Sequence, residues 1–164
     1  MTLDSAGILL YRRIPARQLE LLVAHPGGPL WARRDACAWS IIKGELEPGE
    51  SPEAAARREL AEELGARAAA ALADLELVPL GDVRQRGGKL VHAWAAEGNV
   101  DPATVDSATF EMTWPPRSGR TATFPEIDRV AWVSPERARE LLNPAQAALV
   151  DRLLNVLSEA PPPG

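Results

Sequence analysis

A single cysteine, Cys37, leaves this chain without an internal disulfide, and nothing beside it stands at a metal-ligand spacing. Stability must therefore come from packing, and a reducing, cytoplasmic setting is expected. Surplus positive charge is missing as well: 18 Lys and Arg stand against 23 Asp and Glu, for a net charge of −5 and a pI near 5.1. That balance excludes a broad basic surface neutralising many phosphates, and with it a long nucleic acid as partner. No apolar run of about 18 residues occurs, so no membrane-spanning helix is expected, and residues 1–6 lack the basic-then-apolar pattern of an export leader. Repeats at a fixed period are also absent. The one biased stretch is Pro-rich and poor in apolar side chains, which predicts a disordered tail over residues 159–164 behind a single domain over residues 1–158.

What is present is enough for an ordinary core, with 46% hydrophobic residues in 164. Short apolar runs bounded by Arg, Pro or Gly predict strands over residues 6–11, 19–24 and 38–42, and further strands over 75–80, 90–96, 109–114 and 127–133. Between the two sets lies a helix with clear ends: Ser51 as N-cap, Pro52 at the first helical position, and Gly65 where a left-handed C-terminal cap is wanted. A second helical segment over residues 134–157 opens at Ser134-Pro135-Glu136 and is broken at Asn143-Pro144, which predicts two short helices. Strands interspersed with helices point to an α/β (α+β) fold, a mixed sheet with helices on its faces.

The central helix carries Glu59, Glu62 and Glu63 at i, i+3 and i+4, on one face. Such carboxylates repel one another and call for positive charge among them. Hard divalent cations take oxygen ligands, keep several waters and bind between carboxylates and the phosphates of a substrate, so the face is a candidate metal platform. Ala56, Leu60 and Leu64, spaced by four, would anchor the other face on the sheet. Upstream, the loop Gly44-Glu45-Leu46-Glu47-Pro48-Gly49-Glu50 has the composition of a tight turn and delivers Glu50 to the helix start.

Taken together, Gly44, Glu50 and the run Arg58-Glu59-Leu60-Ala61-Glu62-Glu63-Leu64-Gly65-Ala66 resemble the Nudix box. The resemblance implies the Nudix fold, a mixed sheet in an α/β/α sandwich, and hydrolysis of a diphosphate linkage in a nucleoside diphosphate derivative. Glu59, Glu62 and Glu63 then look like ligands of Mg²⁺ or Mn²⁺, one of them serving as the base for the attacking water, while Glu50 and Arg58 look like supporting members. The backbone carbonyl of Lys43 is a further implied metal contact, and its side chain an implied phosphate contact. Relatives recruit one more glutamate from a loop before a late strand; here Glu126 has that spacing, with Glu97 and Glu111 as the alternatives. The sequence before the box departs from many relatives in reading Ile42-Lys43-Gly44 without a proline. Its narrower likeness is to hydrolases of dinucleoside polyphosphates, while oxidised nucleoside triphosphates, ADP-ribose and capped RNA are the other substrates the family implies. Many relatives are dimers, so a homodimer is among the assemblies allowed.

Substrate contacts are expected outside the box. Arg33, Arg34, Arg117 and Arg120 lie in loops and would suit phosphates. Trp31 and Trp114 are flanked by loop residues and would suit stacking on a base, the other tryptophans belonging to the core. His92 reads as a core histidine in a strand and His25 as a loop residue. Two rival readings accompany the hydrolase: a non-catalytic Nudix-fold nucleotide sensor, and an isomerase on the same fold, for which Cys37 alone is poor support.

Overall fold

The computed structural model describes residues 3–15 and 18–159, so the tail residues 160–164 lie outside it. The strands are β1 (Ser5–Ile14), β2 (Gln18–Pro26), β3 (Ile42–Glu45), β4 (Val78–Arg84), β5 (Leu90–Glu97), β6 (Thr109–Thr113), β7 (Thr121–Pro125) and β8 (Ile127–Val133). The helices are α1 (Pro52–Leu64), α2 (Ala66–Ala69), α3 (Pro135–Leu141) and α4 (Ala147–Glu159). Because α4 runs through Glu159, it takes in the first residue assigned to the tail.

A 6-stranded mixed sheet has the order β4-β5-β1-β2-β8, with β3 also on β1, and β6-β7 form a separate hairpin. The centre of the sheet is β1, whose unbroken run of apolar side chains is buried on both faces, as a strand covered by helices on both sides requires. Ile8 and Leu10 face α1, where they pack with Ala56, Leu60 and Leu64. Leu9 faces the opposite layer and meets Leu141, Leu149 and Leu153 of α3 and α4. Burying Leu60 and Leu64 contributes roughly 2 kcal/mol each and fixes the direction of the acidic face of α1. The α/β/α sandwich is thus present.

One edge of β1 is shared by two strands, and this places the site. Residues 5–8 pair with β3, whereas residues 11–14 pair with β2. Beyond this fork β2 continues along β8, and a cleft opens between Lys43 and Gly44 on one side and Ala24, Pro26 and Ile127 on the other.

Several boundaries differ from expectation. The strand expected over residues 38–42 begins only at Ile42; before it, Trp39 and Ser40 form isolated bridges to Leu142 and Ala24. There the Ile41 N–H is taken by the side-chain oxygen of Gln146 at 2.9 Å, in place of a strand neighbour. Similarly, β4 is shifted past the apolar window at 75–80, since an edge strand tolerates Gly81 and Asp82 outside the core. β7 and α2 were not expected. Gly65 has the required positive φ of 86°, but its ψ of 158° turns the chain outward, and a Cβ there would meet the Asp106 carbonyl at 2.5 Å. His25 belongs to β2 and is fully buried, not in a loop.

Candidate active site

The helix that carries the acidic face starts as its sequence requires, with the Ser51 hydroxyl accepting the Ala54 N–H at 3.2 Å. Glu59 and Glu63 are each only 8% exposed, while the side chain of Glu62 is 48% exposed. Burial raises the pKa of Glu59 despite the neighbouring Arg58 guanidinium. Burial, reinforced by the charges of Glu59, Glu126 and Glu62, pushes Glu63 up to about 8. Glu126, from the turn before β8, joins the same field: its carboxyl is raised by burial and then by Glu59. Its backbone is fixed there, the N–H donating to the Ala108 carbonyl at 2.8 Å and the carbonyl accepting from Gly27 at 2.9 Å.

Arg58 binds the loop to the helix. Its Nε and Nη2 each donate to a Glu50 carboxylate oxygen at 2.8 Å, and Nη2 reaches the Glu45 carbonyl at 3.0 Å. Its Nη1 donates to Glu59 at 2.7 Å and to Glu62 at 3.1 Å. The guanidinium holds Glu50 down to about 2, with help from the Glu47 N–H. Gly44 is needed at the same junction, because a Cβ on it would fall within the Glu59 carboxyl group.

Glu59, Glu62, Glu63 and Glu126 line one cleft of about 490 Å³ together with Lys43 and Lys89, while Glu50 supports it from outside. Lys43 has its pKa lowered by burial and then by the charge of Lys89, so the two ammonium groups act on each other across the cleft wall. Lys89 also pairs with Glu45 at 3.0 Å.

A divalent cation suits this donor set in kind, since buried carboxylates held at raised pKa values gain most from a cation placed among them. Among the described residues, however, no three acidic, His or Cys side chains already surround a single point. Glu59 and Glu62 are turned to Arg58, and a cation that keeps waters and shares substrate oxygens does not need a closed protein cage.

The sequence pattern of the NUDIX domain matches residues 1–153. The chain belongs to the Nudix family. Ap4A hydrolase from C. elegans, in a binary complex, has the same Nudix fold at 20% identity, with a TM-score of 0.67 over 96% of this chain and 100% of that one. A mutT/nudix family protein from Listeria innocua aligns at 19% identity and a TM-score of 0.61 over 96% and 94% of the two chains. The Nudix domain of Shewanella oneidensis NrtR, solved with ADP-ribose, aligns at 16% and 0.57 over 96% and 89%. At these identities the likeness establishes the fold alone. In sequence, a Myxococcus xanthus octanoyltransferase is 36% identical over 135 residues, which is 78% of this chain and 33% of that protein. The Nudix chain thus spans about a third of the length of that relative.

The Nudix cleft brings together Glu59, Glu62, Glu63, Glu126 and Lys43. It does not include Glu97, which pairs with Arg13 at 3.5 Å, or Glu111, exposed on β6. The expected arginine contacts lie elsewhere. Arg33 and Arg34 are exposed, with the Arg34 guanidinium 5.6 Å from the centre of the Trp31 ring; Arg117 and Arg120 are exposed in the segment joining β6 to β7. Neither pair lines the cleft, because both loops point their long side chains to water. Lys89 was missed by sequence reasoning; its only signal was a Gly87-Gly88 turn between two strand-like runs.

A second pocket of about 230 Å³ adjoins the cleft and shares Pro26 and Glu126 with it. Trp31, Leu30, Phe110 and Met112 form its apolar walls. Trp31 is where stacking was expected, whereas Trp114 is not part of this pocket. Among the described residues no helix is long and apolar enough to cross a membrane.

Proposed function

We propose that this chain is a diphosphohydrolase that cuts a diphosphate linkage in a nucleoside diphosphate derivative. The observation carrying this reading is the single cleft in which Glu59, Glu62, Glu63 and Glu126 face Lys43 and Lys89. Carboxylates alone would repel an anionic substrate; the lysines give its phosphates a counter-charge, and the glutamates give a cation its ligands. Glu59, Glu62, Glu63, Glu126 and the backbone carbonyl of Lys43 would hold Mg²⁺ or Mn²⁺. When bound, the ion would screen the diphosphate charge and favour attack by water. The protein's own part is positional: Arg58 and Glu50 hold the loop against α1, Gly44 leaves room for the Glu59 carboxyl, and one of the helix glutamates accepts the proton of the attacking water. The pocket of Trp31, Leu30, Phe110 and Met112 would receive the base. The narrower reading is a dinucleoside polyphosphate substrate, the class to which the substrate named for the C. elegans fold relative belongs.

The test is a panel of nucleoside diphosphate derivatives with Mg²⁺ or Mn²⁺, the products being resolved for wild type and Glu62→Gln. Wild type is expected to release nucleoside monophosphate from at least one member and Glu62→Gln far less. Tight nucleotide binding by a wild type that releases no more product than Glu62→Gln would favour a sensor.

Two substitutions separate the parts of the site. Gly44→Ala forces its new methyl onto the Glu59 carboxyl and is expected to lower kcat/KM about 100-fold, the scale set by small misplacements of catalytic groups. A steady-state assay with a Mg²⁺ titration checks it, an unchanged metal dependence counting against the Glu59 assignment. Phe110→Ala is expected to raise KM about tenfold with kcat little changed, as loss of one base-stacking ring does. Equal falls in kcat would place Phe110 outside base binding.

A further inference from the structure

The apolar pocket is walled on one side by a loop that the body of the protein touches at few points. Gly27 opens this loop and is locked to Glu126 by its N–H. Through residues 28–34 the described backbone hydrogen bonds stay within the segment, Trp31 N–H to the Gly28 carbonyl at 3.3 Å and Arg34 N–H to the Trp31 carbonyl at 3.0 Å. One bond leaves it: the Arg34 carbonyl lies 2.6 Å from Nε2 of His25. On the other side of the ring, Nδ1 is 2.9 and 3.1 Å from the two oxygens of Asp128. The ring thus bridges the loop carbonyl to the Asp128 carboxylate, one nitrogen facing each. His25 is fully buried and packs edge-on against Trp39 at 5.1 Å, so its ring has no freedom to turn away.

We infer that His25 is a positioning residue for substrate choice: with Asp128 it pins the loop of Leu30 and Trp31 over the base pocket. This rests on the proposed hydrolase reading of the cleft. The location supports it. His25 stands at the end of β2 where the register with β8 shifts, and Asp128 follows Glu126 by two residues. The pair of buried His25 and more exposed Asp128 therefore links the loop bearing Trp31 to the turn bearing Glu126, and a base seated in the pocket meets both. The Arg34 side chain is not needed for this link, because its carbonyl supplies it, which gives that loop arginine a role other than phosphate binding.

The experiment compares wild type, His25→Asn and Asp128→Asn on a nucleoside diphosphate derivative and on an alkyl diphosphate that lacks a base, alongside trypsin cleavage at the exposed Arg33 and Arg34. Asp128, less buried, serves if the His25 variant fails to fold. Each variant is expected to raise KM for the nucleotide about tenfold, to leave kcat within about twofold and the base-free substrate unchanged, and to speed cleavage in the loop about tenfold. Equal losses on both substrates, or unaltered cleavage with unaltered KM, would overturn the inference. Should wild type cleave neither substrate, the hydrolase reading fails, and the trypsin comparison alone decides whether His25 anchors the loop.

Discussion

Glu63→Gln is expected to lower kcat/KM roughly a thousandfold while making the metal-free protein more stable. The two effects share a cause. In the absence of a cation Glu63 is buried beside Glu59 and Glu126, and its pKa stands at about 8 in the folded state against an ordinary value of 4.5. Between those values the folded state holds a proton that the unfolded state has released, so the contribution of Glu63 to stability is fully present below about pH 4.5 and is lost as pH rises through about 8. The loss amounts to a few kcal/mol, because each tenfold difference in proton affinity between the two states is worth about 1.4 kcal/mol. Glutamine carries no charge to desolvate and removes this part of the slope, leaving the shares of Glu59 and Glu126. Thermal unfolding in chelator at pH 5 and pH 8 measures it: wild type should melt lower at pH 8, and the variant should lose clearly less Tm over the same interval. Added Mg²⁺ should raise the wild-type Tm most at pH 8 and the variant's little. A wild-type Tm that rises from pH 5 to pH 8 in chelator would refute the account.

Arg58→Ala is the second large effect, expected to reduce kcat/KM on the order of 100-fold and Tm by about 5 °C. Removing the guanidinium frees Glu50 and the loop carbonyl of Glu45, and leaves Glu59 buried without its donor. Arg58→Lys should recover little, because one ammonium cannot reproduce a bidentate grip on Glu50 together with bonds to Glu59 and Glu62. Activity and melting of both variants decide the matter; full rescue by lysine would mean that only the charge counts. Since Glu50 is held down to about 2, its grip on Arg58 should persist far below the pH at which Glu63 takes up its proton.

How much was legible beforehand depends on the range of the interaction concerned. The bounds of α1, its Ser51 cap and its common acidic face were readable because helical hydrogen bonding repeats within a few residues and needs no partner from elsewhere. The Arg58–Glu62 pair at i, i+4 was readable for the same reason. The two-sided burial of β1 left its mark as a continuous apolar run. The start of β3 was not legible, since Gln146, distant in the chain, takes the Ile41 N–H. Nor were β4 and β7, whose exposed residues weaken the alternation that marks a strand.

At the site, the sequence by itself determined the Nudix box, the direction of its glutamates and the kind of ion they suit. Only the tertiary structure decided that Glu126 rather than Glu97 or Glu111 faces them, that Lys89 stands beside Lys43, and that the loop arginines do not line the cleft. It also set the burial that separates Glu59 and Glu63 from the more exposed Glu62. The physical reason is that spacing along a helix is fixed by local backbone geometry, whereas contacts between distant segments depend on the fork of β1 between β2 and β3 and on the packing of α1 beneath it.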